Sequence, residues 1–323
     1  MIRFFQDMPA NPFLITGLLA GVLSGLACGF IGPYVITRRM VFLAGAIAHI
    51  AVGGIGAAIF IQYHLRRRLG EGADAMDLAA LYEQHPLFAR LDPLLPTLGA
   101  FAAALAGAVL IGLVHQRVRE RIDTLVGAMW AVGMAIGVLL IKFTPGYHTE
   151  LMSYLFGNIA FVPWSEIRLM LLLNAIILVV VLLLHKRLLA VCLDEQHARL
   201  SGINVPTVNI VLLCLVALTV ICLIRVVGLI LVLALLTLPA ATAGHHLRRL
   251  APMMLASSVL CILLATVPRI AVYGTRLSPE AAIVLAAAAV YLLSVLLSRR
   301  RAGSRSSARP HRAEGRILKQ SES

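Results

Sequence analysis

Charge is what this sequence has least of. Only 13% of its 323 residues are Asp, Glu, Lys or Arg, where soluble domains carry about 25%. Acidic residues number 15 against 28 basic ones, apolar residues make up 60%, and mean hydropathy is +0.92. That leaves too little polar sequence to cover an ordinary soluble core. Disorder over most of the length is excluded too, since it needs low hydrophobicity and high charge.

Other absences narrow the chemistry. There is no H-E-x-x-H and no G-x-S-x-G, so neither a zinc-protease helix nor a nucleophile elbow is present. No Gly-Lys dipeptide occurs, so there is no Walker A loop and any ATP hydrolysis belongs to another chain. An intramembrane enzyme is a remote alternative that lacks a nucleophile. The five cysteines, Cys28, Cys192, Cys214, Cys222 and Cys261, form no C-x-x-C pair. They read as small apolar helix residues rather than metal or redox ligands. No cleavable signal peptide is expected at Met1–Pro12.

What is present is a series of apolar runs, each near the roughly 20 residues that span a bilayer. They fall at 13–36, 40–62, 95–115, 124–142, 166–185, 206–224, 226–247, 251–268 and 279–298. The expected fold is all-α, a polytopic transmembrane bundle of eight or nine spans over residues 1–298. The sixth and seventh runs are separated only by Ile224-Arg225-Val226, which implies a tight hairpin or broken half-helices.

The net charge of +13 is distributed as membrane topology rather than as a nucleic-acid surface. Basic residues gather in alternate loops and in the tail. Placing Arg38 and Arg39 inside puts the N-terminus outside and the C-terminus in the cytoplasm. The trio Arg66–Arg68 violates that pattern, within an expected outer loop at 63–94. The tail, 299–323, is basic and Ser-rich and is expected to be disordered and cytoplasmic.

Gly17, Gly21, Gly25 and Gly29 repeat G-x-x-x-G along the first span, which lets helix backbones approach closely. Gly99, Ala103 and Gly107, then Gly133 and Gly137, extend that signal to the third and fourth spans. Pro239 sits inside the seventh span and frees the Leu235 carbonyl. A helix break beside a pathway and a simple packing kink both fit.

His49 lies nine residues past Met40, about 13 Å into the second span. Ionisable groups at that depth are functional candidates, and neutral imidazole is a common metal ligand. One turn earlier stands Gly45, not a carboxylate, so further ligands must come from other helices. His148 and Glu150 before the fifth span could receive a divalent cation or form an ordinary polar loop. His64, Glu83 and His85 carry the same ambiguity. His245 and His246 are adjacent, and neighbours on a helix point about 100° apart, so no joint site is expected there. In the inner loop, Asp194, Glu195 and Ala198 followed by Gly202 predict a short interfacial helix with a glycine cap.

Four segments together resemble the permease subunit of bacterial zinc/manganese/iron ABC importers. They are GPYVITRRMVFLAGAIAH (32–49), IDTLVG (122–127), ELMSYLFGN (150–158), and the loop 194–205 continuing through Val227-Gly228 to LPAATA (238–243). The resemblance implies a type II importer-like bundle with the pore between two permeases, a homodimer or a pair of related ones. It implies ATP held by cytoplasmic ATPases docked on the inner coupling loop 190–205, through Asp194, Glu195, Ala198 and Gly202. It also implies an extracytoplasmic metal-binding protein and no permanently bound cofactor. His49, His148 and Glu150 would meet the transported divalent metal. Gly45, Asn158 and Pro239 would line or kink the pathway. The family commonly has an aspartate where this chain has Gly45. A permease for a metal chelate, such as a siderophore or cobalamin, is the alternative within the same class.

Overall fold

The computed structural model describes residues 2–69, 83, 85–117, 122–145, 157, 159 and 161–307. Among these no strand forms. The helices are α1 (Ile2–Asp7), α2 (Pro12–Thr37), α3 (Val41–Leu69), α4 (Pro86–Leu91), α5 (Leu95–Arg117), α6 (Ile122–Lys142), α7 (Trp164–Leu193), α8 (Glu195–Leu200), α9 (Val205–Val227), α10 (Leu229–His246), α11 (Leu250–Val272) and α12 (Pro279–Ser307). A 3-10 turn, Asp92–Leu94, joins α4 to α5. Nine helices among the described residues are long and apolar enough to cross a membrane, and they coincide with the nine apolar runs.

The helix ends differ from the hydropathy reading. α3 continues to Leu69, so Arg66–Arg68 are helical rather than part of a loop. Arg66 donates from Nε to Asp92 Oδ1 at 3.1 Å, and Asp92 is only 1% exposed. An apparent topology violation is thus a paired cation holding α3 to the turn before α5. α7 extends to Leu193 and absorbs the first four residues of the expected inner loop 190–205. α9 runs through Arg225 to Val227, and the joint with α10 is Gly228 at φ 78°, a conformation glycine adopts without steric cost. α12 continues past 298 to Ser307.

α2, α3 and α9 form the interior. In α3, 78% of the spanning window is buried, against 17% in α12. The glycine stripe of α2 faces α11 along its length. A Cβ on Gly29 would lie 2.2 Å from the Ser258 Cα, so the two backbones leave no room for a side chain. α3 is gripped on two sides. Gly54 meets Gly99 of α5, while Gly53 and Gly56 meet Gly133 and Gly137 of α6. Without a hydrophobic force between helices in lipid, such backbone proximity supplies the dispersion contacts that hold a bundle.

Pro239 does not break α10, which is continuous and buried around it. The Leu235 carbonyl has lost its usual amide donor, and the Cys261 thiol of α11 donates to it at 3.2 Å. A freed backbone group inside a membrane bundle must find such a partner. Cys261 therefore has a specific polar task that its apolar setting hid.

Candidate functional site

His49 sits in the first third of the gripped helix and is 6% exposed. Its Nδ1 is 2.9 Å from the Gly45 carbonyl oxygen one turn earlier. Only a protonated Nδ1 can donate to that carbonyl, so the neutral ring keeps a lone pair on Nε2. No hydrogen-bond partner occupies Nε2 among the described residues. The ring borders an open cavity of about 650 Å³, lined also by Trp130, Met134, Val138 and Lys142. The arrangement fixes the ring and offers one nitrogen.

Trp130 explains Gly45. The indole lies 4.3 Å from the His49 ring, centroid to centroid, at 31°. It also covers Gly45, where a Cβ would come within 2.3 Å of the indole Cζ3. The indole fills the space that a side chain at position 45 would need. Sequence reasoning passed over Trp130, although it is one of only two tryptophans and stands one turn before Gly133, which abuts the His49 backbone.

His148, Glu150 and Asn158 lie outside the described residues, as do 70–82 and 84 of the expected outer loop. Among the described residues, no three His, Cys, Asp or Glu side chains come together as a metal-binding group. Pro239 belongs to the α2–α10–α11 packing, where Gly32 approaches the Leu236 carbonyl.

A second polar cluster joins α2 to the short helix α8. Asp194 caps α8, accepting from the Gln196 and His197 amides at 2.8 and 3.2 Å. Gly202 ends it at φ 78°, with Gly202 N–H bonded to the Arg199 carbonyl and Ile203 N–H to the Ala198 carbonyl. That is the glycine-terminated helix expected from the sequence. Ala198 is buried with Val191 and Val205, which seats α8 on α7 and α9. Arg38, at the end of α2, pairs with Glu195 and also donates to the Val191 carbonyl and to Asn209 Oδ1, each at 3.2 Å. Burial pushes the Glu195 carboxyl up, but the hydrogen bond and charge of Arg38, helped by Asn209 and Arg199, outweigh it and hold the pKa low. Tyr34 and His185 Nδ1, 2.7 Å apart, add a link between α2 and α7.

His245 and His246 share one partner without forming a metal-binding group among the described residues. Both rings reach the buried Ser294 hydroxyl of α12, His245 Nδ1 at 3.2 Å and His246 Nε2 at 3.0 Å. Side-chain rotation closes the angle that the backbone opens. Both rings serve to pack the end of α10 on α12.

The sequence matches the ABC 3 transport family over residues 10–298. The chain belongs to the ABC 3 transport family. Among its relatives is the probable metal transport system membrane protein of Chlamydia trachomatis, 32% identical over 288 residues, covering 89% of this chain and 90% of that protein. The manganese transport system membrane protein MntC of Listeria monocytogenes is 28% identical over 295 residues, covering 91% and 94%. Among solved structures, a chain of PsaBC from Streptococcus pneumoniae in complex with Fab aligns with a TM-score of 0.73 at 26% identity, over 91% of this chain and 95% of that one. This family member is a membrane-embedded transport subunit, not an enzyme.

Proposed function

We propose that this chain is the membrane-spanning subunit of an ATP-driven importer that moves a divalent transition metal, zinc or manganese and by extension iron, across the bacterial plasma membrane. Two copies enclose the pore. The N-terminus is outside and the C-terminus cytoplasmic. ATP is held by cytoplasmic ATPase subunits, and an extracytoplasmic protein delivers the metal. The relatives' roles in metal transport support the class of cargo. Arg38 and α8 lie together, as the positive-inside reading requires of two cytoplasmic elements. Leu193, just before α8, and Leu200, its last residue, stand 74% and 88% exposed, apolar knobs suited to a docking partner.

The observation that carries the proposal is His49, a neutral imidazole with Nδ1 held and Nε2 open, bordering a cavity on a rigid helix. One imidazole binds a metal weakly, and a pathway needs sites weak enough to leave. ATP-driven switching then requires only that the ion's contacts differ between the outward- and inward-open states.

The test is uptake of radioactive zinc and manganese by cells expressing the chain with its ATPase and binding protein. One metal accumulates with the wild type. His49→Ala lowers that uptake by about tenfold or more at equal protein level, as loss of even an outer ligand-orienting group does. Uptake of neither metal, or normal uptake by His49→Ala, refutes the proposal.

A further inference from the structure

The turn between α2 and α3 carries a feature that metal contact does not explain. Arg39 has φ 55°, the one positive-φ non-glycine among the described residues. Its amide bonds to the Ile36 carbonyl at 3.0 Å, and the Met40 amide to the Val35 carbonyl at 2.8 Å. This bonding is the usual left-handed helix stop, but with arginine where glycine normally stands. A side chain in that conformation crowds its own backbone, a strain glycine does not carry. A strained joint thus lies immediately before α3, and His49 is eight residues beyond Val41, about 12 Å along that helix.

Arg38, the residue before the joint, is the point where four helices meet. Its guanidinium links α2 to Glu195 on α8, to the Val191 carbonyl on α7 and to Asn209 on α9. The Arg38 side chain is 15% exposed, and its Nε is buried without a partner. Buried cations are retained at a cost in stability, and removing their partners leaves that cost uncompensated. Val35 and Tyr34, on the turn of α2 just before it, are fully buried, so α2 cannot yield locally. Any shift of α8 is then passed through Arg38 to the joint.

We infer that Arg38 is the positioning residue through which α8 sets the orientation of the His49-bearing helix. This rests on the proposed function in assigning ATPase docking to α8. The Arg38–Glu195 pair transmits the displacement, and the strained joint at Arg39 lets α3 swing without unwinding.

The test uses the full transporter, permease with ATPase, in lipid vesicles. Trp130 is carried as the sole 5-fluorotryptophan in a Trp164→Phe background, with unlabelled ATPase. Its fluorine resonance reports the open cavity beside His49, which Trp130 also lines, when ATP is added, with or without metal. Arg38→Ala and Glu195→Ala are compared with the parent for ATPase retention, ATP hydrolysis, metal uptake per ATP and the ATP-induced fluorine shift. Arg38→Ala, outside the docking loop, should retain the ATPase and hydrolyse ATP at near-parental rates, and ATPase retention by Glu195→Ala is read beside it. Both variants should lose the fluorine shift, and uptake per ATP should fall about tenfold, within the 5- to 150-fold range of site–site coupling. The double variant should be no worse than either single one, because both cut one link.

A fluorine shift preserved in both variants overturns the inference. So does loss of the ATPase in Arg38→Ala, which would make the pair a docking contact. Should Arg38→Ala fail to fold, Arg38→Gln carries the comparison. If the parent transports neither metal yet shows the shift, the proposed cargo fails while the linkage is still decided by the fluorine arm.

Discussion

Removing the Cys261 thiol should matter only while Pro239 is present. The proline leaves the Leu235 carbonyl without its helical donor, and the thiol takes that place at 3.2 Å. An unsatisfied buried acceptor costs about 1–3 kcal/mol. The thiol is a weak donor, so the expected coupling lies near the bottom of that range, about 1 kcal/mol. Cys261→Ala also loses packing contacts, but it loses them in either background. Pro239→Ala restores an amide at position 239 that can serve Leu235 directly. The cost of Cys261→Ala should therefore be about 1 kcal/mol smaller in the Pro239→Ala background, about fivefold in the unfolding constant. The four proteins would be unfolded reversibly in mixed micelles by titration with a denaturing detergent. Equal costs in the two backgrounds would refute the hydrogen bond as an energetic link, whatever its geometry.

Gly45→Asp should reduce the amount of folded protein, because its Cβ would enter the Trp130 indole at 2.3 Å. Trp130→Ala in the same chain should restore folding, read by size-exclusion recovery, and unchanged recovery would refute the steric account. Gly54→Leu, whose Cβ would lie 2.3 Å from the Gly99 carbonyl oxygen, should destabilise by at least about 1–3 kcal/mol. Gly127→Ala, with open space around its Cβ, should be close to neutral in the same unfolding assay. The lowered Glu195 pKa makes its pairing strongest above the ordinary glutamate range and weaker as pH falls through the depressed value. Proteolysis of α8 should therefore rise on acidification in the parent protein, and that rise should vanish in Glu195→Gln.

The spans were legible because hydropathy measures what a bilayer demands, and each of the nine long helices lies on an apolar run. The α2 glycine stripe was legible for the same local reason: four residues per repeat stay on one face. The short helix α8 announced both ends, Asp194 as cap and Gly202 as stop. What stayed hidden depends on partners far along the chain. Arg38 read as a topology charge, but its side chain meets Glu195 and Asn209. Arg66 read as an anomaly until Asp92 stood beside it. Gly45 read as a missing carboxylate, and only the approach of α6 shows an indole in that space. The joint between α9 and α10 was expected at 224–226 and lies at Gly228, because a positive φ leaves no trace in hydropathy.

The glycine crossings of α3 have a consequence for how this molecule can move. Where two backbones touch, there is no layer of side chains to change rotamer and absorb a small displacement. A contact such as Gly53 on Gly133 is kept whole or given up whole. α3, α5 and α6 therefore behave as one slab during any rearrangement, and compliance must be sought at its margins. Amide hydrogens in the middle of α3 should then be among the last in the protein to exchange, and they should exchange together.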